Sequence, residues 1–263
     1  MATRTMTFAA AGALNLDVST DRYEVRFAQT QQEIESALRL RYEVFNLELA
    51  NEQPAENADG LEFDKFDYRC RHLLVIEKKT QETVGTYRVN SIDNADNVRD
   101  FYSYSEFSIE DLPSDVLERS VEIGRACIAA GHRNSKVLFL LWRGLAVYLK
   151  ETEKRFLFGC CSIFTTDQNV GIKAFQQLKD IECLHKNYHV NPRDDKACGP
   201  EPDAVIDKST SLELPSLFNM YLRIGAKVCG SPVVDLEFGT IDFFVIFDLQ
   251  TLNGKYRQLF LGE

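Results

Sequence analysis

Ser-Val-Glu-Ile-Gly-Arg-Ala-Cys-Ile-Ala (120–129) is the stretch whose reading decides the fold. It is rich in β-branched and apolar residues and reads as a strand. On a strand, residues 122 and 124 share one face and residues 123 and 125 the other. Gly124 lacks a side chain, which permits a bulge or a close backbone approach. A bulge there would let Glu122 and Arg125 project into one cleft. Downstream, Asn134 or Ser135 can cap a helix over about 136–153. Phe-Leu-Phe-Gly-Cys-Cys-Ser-Ile-Phe (156–164) then reads as a buried strand. Strand, helix and strand in this order point to an α/β architecture.

Upstream, residues 71–78 and 83–90 read as two strands joined by a turn at Lys79-Thr80-Gln81-Glu82. Residues 22–29 alternate like a first strand. Thr30 with Glu33 makes a capping-box pattern. It predicts a helix over 31–49, with Ile34, Leu38, Tyr42 and Phe45 on one face. Residues 50–60 read as loop, and 91–119 as loop with short helical turns, a partial lid. Past 164, Asp167 or Asn169 starts a helix ending near Leu178. Pro215 suits the first position of a helical segment ending before Gly230. Residues 240–248 form a last core strand. The chain is expected to have a flexible segment at 1–21 and one domain over 22–263. An irregular, disordered insertion is expected at about 185–211, where Pro192, Gly199, Pro200 and Pro202 fall.

The 263 residues carry 30 basic and 40 acidic side chains, a net charge of −10. This argues against nucleic-acid binding, which needs a basic surface. Contact with an acidic partner would need a local basic patch, either Arg133, Lys136 and Arg143 or Lys150, Lys154 and Arg155. Equally, these are ordinary solvated faces. The seven cysteines are odd in number and scattered, unlike a disulfide framework, and a reducing cytoplasm fits. No apolar run is long enough to span a membrane. Met6–Leu14 follows Arg4 and is mildly apolar; a surface-lying N-terminus is preferred to a signal-like segment. His185 and His189 are spaced i, i+4 but lack a third ligand, so no metal is expected. No histidine neighbours Ser162 or a cysteine in a motif, so covalent catalysis has no support.

Four further runs place charge beside apolar residues. They are Arg-Leu-Arg-Tyr-Glu-Val-Phe (39–45), Glu-Phe-Asp-Lys-Phe-Asp (62–67), Arg-His-Leu-Leu-Val (71–75) and Val-Gly-Thr-Tyr-Arg (84–88). Charges so embedded are costly to bury unless paired. Glu62, Asp64, Asp67 and Glu122 could pair with Arg41, Arg88 and Arg125, or the set could hold a charged substrate. With Glu122-Ile-Gly-Arg125, these runs in this order resemble the acyl-homoserine lactone synthases and their relatives, acyl-carrier-protein-dependent N-acyltransferases of the GNAT superfamily. Leu-Pro-Ser-Leu-Phe-Asn-Met-Tyr-Leu-Arg-Ile-Gly-Ala (214–226) and Val-Asp-Leu-Glu-Phe-Gly-Thr-Ile-Asp (234–242) resemble the branch that includes the ornithine N-acyltransferases of aminolipid synthesis, often labelled hemolysin-like. The resemblance covers roughly residues 22 to 260.

The resemblance implies a GNAT fold: a mixed, mostly antiparallel sheet with splayed central strands, flanked by helices. Strand 120–129 would splay from strand 156–164, and a thioester would lie in the gap. The reaction implied moves a long, 3-hydroxylated or plain acyl chain from acyl-carrier protein to the amine of an amino acid such as ornithine or glycine. The product is an N-acyl amino acid or lyso-aminolipid. Aminolysis needs a proton acceptor and oxyanion stabilisation. Glu122, its pKa raised by partial burial, is the candidate acceptor, with Arg125 beside it; the bland alternative is a structural ion pair. Arg41, Asp64, Asp67 and Arg88 match the charged positions of the lactone-synthase pattern. Asp64 and Asp67 would face the acceptor's ammonium, and Arg41 or Arg88 its carboxylate; the rival is an internal salt-bridge web. His72 is more often structural, and the branch resemblance raises it slightly.

Coenzyme-A-using GNAT enzymes carry a glycine-rich loop before the long helix. Here Ala129–Lys136 holds only Gly131. That favours the phosphopantetheine of acyl-carrier protein over acyl-CoA as co-substrate, with Arg133, Ser135 and Lys136 as its contacts. No tightly bound cofactor is implied. Phe139, Leu140, Trp142, Phe156, Phe158 and Phe164 could line an acyl tunnel, although plain core is preferred for most. The expected location is cytoplasmic, with possible peripheral contact to the inner membrane through the product. A lactone synthase using S-adenosylmethionine, or a non-enzymatic lipid-binding protein, are the alternatives.

Overall fold

The computed structural model describes residues 14, 16–49, 59–193, 196–199 and 211–262. Its strands and α-helices follow as β1 (Val18–Ser19), β2 (Tyr23–Phe27), α1 (Gln31–Arg41), β3 (Arg71–Glu77), β4 (Thr83–Ser91), α2 (Ser103–Glu106), α3 (Ser114–Glu118), β5 (Ser120–Ile128), α4 (Ser135–Glu151), β6 (Phe156–Ile163), α5 (Gln168–Asp180), α6 (Ser216–Ile224), β7 (Lys227–Val228), β8 (Val233–Asp235), β9 (Thr240–Asp248) and α7 (Gly254–Leu261). The chain divides into two compact units. One holds residues 1–95, 123–154 and 257–263, the other 96–122 and 155–256.

In the first unit, β1 to β4 form an antiparallel meander, with β5 next to β4. Helices cover both faces of this sheet. α1 starts with the expected capping box, Thr30 accepting from the Glu33 amide. Its Ile34, Ala37 and Leu38 pack with Leu74 and Ile76 of β3. α4 starts at an Asn134 cap. It lies so close to the other face that a Cβ on Gly144 would stand 2.8 Å from Val25, and one on Gly85 2.9 Å from Val137. Trp142 is buried there, its indole N–H 3.3 Å from the Tyr87 hydroxyl.

The helix predicted over 31–49 is α-helical only to Arg41 and continues as a π-helix, Tyr42–Glu48. The wider turn moves the buried face: Arg41 and Val44 are buried, whereas Tyr42 and Phe45 are half-exposed. The N-terminal boundary also moves, because β1 pairs with β2 and buries Leu16 and Val18. Most of the segment 1–21 and of the loop 50–60, including the apolar Met6–Leu14 apart from Leu14, lies outside the described residues.

In the second unit, β6 pairs antiparallel with β9 over its whole length, and β7 and β8 pair with β9. β5 enters in parallel beside β6 through three pairs only, Ser120↔Phe156, Val121↔Leu157 and Glu122↔Phe158. The segment expected as a lid contributes core. Phe101 packs on Phe158 and Phe107 on Phe244, and Phe101 and Phe107 are fully buried. Part of the expected disordered insertion is also built in, since Pro192 bridges Phe107 and Ala197 bridges Val233; residues 194–195 and 200–210 lie outside the description. α6 stops earlier than expected, at Gly225, whose φ of 110° caps it. Of the aromatics proposed for a tunnel, Phe156 and Phe158 are core, and Phe164 is 62% exposed.

Candidate active site

Within the first unit, α1, the turn at 62–67, β4 and β5 bring six ionic side chains together. Arg41 is completely buried. Its guanidinium pairs with Glu62 through Nε, and with Asp67 at 2.6 and 3.1 Å through the two terminal nitrogens. Arg88 donates to Asp64 Oδ2 at 2.5 Å and lies 3.5 Å from Asp67 Oδ1. Arg125 lies 3.0 Å from Glu62 Oε1 and 3.4 Å from Asp64 Oδ2. Three guanidiniums thus face three carboxylates. The turn is held locally as well, with Asp67 accepting from the Asp64 amide and Asp64 from the Phe66 amide.

This balance governs the protonation states. Burial alone would raise the Asp67 carboxyl, but Arg41 and Arg88 hold it well below the usual carboxylate range. Burial alone would lower the Arg88 guanidinium, but Asp67 and Asp64 beside it raise it. His72, 1% exposed, lies 3.8 Å from Asp67. Burial, helped by the two guanidinium charges, lowers it to about 4, so it is neutral at pH 7. Asp64 and Asp67, expected to face an ammonium, face arginines. Arg41 and Arg88, expected to hold a carboxylate, already hold these aspartates. The geometry is that of the internal web.

Glu122 and Arg125 have separate partners. Glu122 accepts from the amides of Tyr102 at 3.0 Å and Ser103 at 2.7 Å, the start of α2. The backbone irregularity expected at Gly124 falls one residue on: Arg125 has φ 50° within the strand. This left-handed conformation costs about 1–2 kcal/mol for a residue with a Cβ. The Arg125 side chain from there reaches Glu62 and Asp64.

The proposed carrier contacts lie at the start of α4. Ser135 and Lys136 are exposed. Arg133 donates to the Ile128 carbonyl at 3.0 Å and pairs with Glu48. Of the second basic patch, Lys154 pairs with Asp93 at 2.8 Å and Arg155 with Asp248 at 2.5 Å. Burial raises the thiols of Cys160 and Cys161 well above the ordinary range and that of Cys127 to about 12, so none is a ready nucleophile.

A second polar cluster was assigned no role from the sequence. It lies in the second unit, on the sheet face shared by Glu122, Phe158, Cys160, Ser162 and Asp242. The Tyr102 hydroxyl donates to Asp235 at 2.6 Å, and Lys196 Nζ to Glu106 at 2.7 Å. Glu106, Asp235 and Asp242 are all buried. A signal existed: Asp242 interrupts an otherwise apolar strand, and Asp235 lies in the same quoted run. Among the described residues, no group of three or more His, Cys, Asp or Glu could hold a metal ion.

The match of residues 40–143 to the acetyltransferase (GNAT) domain, joined to this sheet, defines the class: a GNAT-fold acyltransferase. Solved structures agree on the fold. The acyl-homoserine lactone synthase BjaI, described as CoA-dependent, superposes with a TM-score of 0.55 at 13% identity, covering 90% of this chain and 89% of that one. MesI, another described as CoA-dependent, gives 0.52 at 11%, covering 91% and 96%. The L-ornithine N(alpha)-acyltransferase of Rhodobacter capsulatus is 32% identical over 90% of this chain and 94% of its own. That of Rhizobium meliloti is 31% identical over 89% and 82%. The chain belongs to this L-ornithine N(alpha)-acyltransferase family. The non-enzymatic alternative thereby gives way to an acyltransferase.

Proposed function

We propose that the protein transfers a long acyl group from a thioester to the α-amine of ornithine. The carrying observation is a likeness to ornithine acyltransferases that runs through about nine-tenths of the chain. The neutral amine attacks the thioester carbonyl carbon. The C–N bond forms, the C–S bond breaks, and the thiol leaves with a proton. Glu122 takes the amine's proton, directly or through water. Its two oxygens also accept from the Tyr102 and Ser103 amides, which hold the carboxylate in place. The thioester lies beside Glu122, where backbone N–H groups meet the developing oxyanion. The ion web of Arg41, Glu62, Asp64, Asp67, Arg88 and Arg125 fixes the turn at 62–67 and the course of β5.

The donor in this reading is 3-hydroxyacyl-acyl-carrier protein, its phosphopantetheine phosphate meeting Arg133, Ser135 and Lys136 at the start of α4. Support comes from the loop at 129–136, whose single glycine offers little cradle for the pyrophosphate of coenzyme A. Purified protein is incubated with ornithine and, separately, acyl-carrier-protein and CoA thioesters, hydroxylated and plain. Mass spectrometry then seeks Nα-acylornithine. Its formation from the carrier-protein thioester supports the reading. Formation only from acyl-CoA refutes the donor assignment, and no acylornithine from any thioester refutes the reaction. Replacing ornithine by S-adenosylmethionine in the same assay tests the lactone-synthase alternative.

A further inference from the structure

Acylation of the α-amine leaves ornithine's side-chain ammonium as a spectator charge that must be accommodated. The ion web of the first unit cannot do this, because each of its carboxylates already faces an arginine. The second unit has the opposite balance. Glu106, Asp235, Asp242 and Glu122 are buried near one another, and Lys196 is the cation seated on Glu106. Among the described residues, two carboxylate oxygens there, Glu106 Oε2 and Asp242 Oδ1, are buried without a hydrogen-bond partner, on residues only 2% exposed. A buried acceptor left unmade is costly, and a carboxylate more so. The rest of the cluster is satisfied. Asp235 accepts from Tyr102 and from the amides of Glu237 and Phe238, and Asp242 bonds Ser162 and Thr240. Glu106 and Asp235 both act electrostatically on Asp242. Tyr102 gives the scale of the site: its amide is on Glu122 and its hydroxyl on Asp235.

We propose that Asp242 Oδ1 and Glu106 Oε2 form a subsite for the side-chain ammonium of a diamino-acid acceptor, and so select ornithine over monoamino acids. Lys196 Nζ, 2.7 Å from Glu106 Oε1, shows that a primary ammonium fits this wall of the cluster. The proposal rests on the acyltransferase reading above. It makes Asp242 and Glu106 specificity residues, separate from the proton acceptor Glu122.

The test compares kcat/KM for ornithine with that for norvaline, which has the same carbon chain and no side-chain amine. Wild-type protein, Asp242→Asn and Glu106→Gln are assayed with the same acyl thioester. Wild-type protein is expected to prefer ornithine, and each variant to lose roughly 10- to 100-fold of that ratio, mainly through KM for ornithine. Unchanged ratios in both variants overturn the proposal. So does a wild-type enzyme indifferent to the side-chain amine, which decides the matter even if neither variant folds. Wild-type protein that acylates no amine removes the reaction itself, and the subsite with it.

Discussion

His72→Gln should flatten the pH dependence of stability in the unit that holds the ion web. Folding lowers the His72 pKa from 6.5 to about 4, chiefly through burial. Between these values the unfolded chain binds the proton and the folded chain does not. The stability tied to neutral His72 is therefore complete above about pH 6.5 and is lost as pH falls towards 4, by up to about 1.4 kcal/mol per pH unit. Over the window this sums to about 3 kcal/mol, a large part of a typical domain's stability. Asp242 acts in the opposite sense. Its folded pKa is pushed up to about 6 from 3.8, first by burial, so falling pH through that range favours the folded state. A whole-protein profile would mix the two; the difference between wild type and His72→Gln isolates the histidine. Urea unfolding followed by fluorescence suits the purpose, because the single tryptophan, Trp142, lies in the same unit as His72. The wild-type free energy should fall away from that of the variant progressively from about pH 6.5 to pH 4.5. Parallel curves would show that His72 is not held neutral by its surroundings.

Arg41→Met should destabilise the fold by about 3–5 kcal/mol, because it leaves three buried or half-buried carboxylates facing only two guanidiniums and removes the cation hydrogen-bonded to Asp67; a thermal melt matching wild type would contradict the web. Glu122→Gln should slow turnover by roughly 10²–10⁴ with an unchanged circular dichroism spectrum, and a folded, fully active variant would exclude Glu122 as proton acceptor. Gly230→Ala should cost at least about 3 kcal/mol. Its Cβ would stand 2.2 Å from the Val190 carbonyl oxygen at a φ of 141°, and denaturant titration reads the loss.

Regular elements with strong local signals were legible in the sequence. The Thr30–Glu33 box, the hairpin turn at 79–82 and the apolar run 240–248 each coincide with the observed start, turn or strand. The π-helix at Tyr42–Glu48 was not, because local periodicity carries no mark of where tertiary packing widens a turn. Arg41, Arg88, Asp64 and Asp67 stood out as charges in apolar surroundings, but a sequence cannot say whether such charges face each other or a ligand. In the folded chain they face each other, three guanidiniums against three carboxylates. Asp242 and Glu106 went unassigned for a related reason. Their meaning depends on one oxygen of each being left over after its neighbours are satisfied, and only three-dimensional placement exposes such a remainder.

The closed ring of Arg41, Glu62, Asp64, Asp67, Arg88 and Arg125 has a kinetic consequence. Its paired members lie 21 to 63 positions apart along the chain. Any partly assembled form lacking α1, the 62–67 turn or β5 leaves an ionised group desolvated without a counter-charge. The ring therefore closes late, after these segments have docked. Its substitutions should accelerate unfolding while leaving the refolding rate nearly untouched. A network of this kind works as a checkpoint on assembly: misdocked intermediates are penalised, and the finished unit is locked.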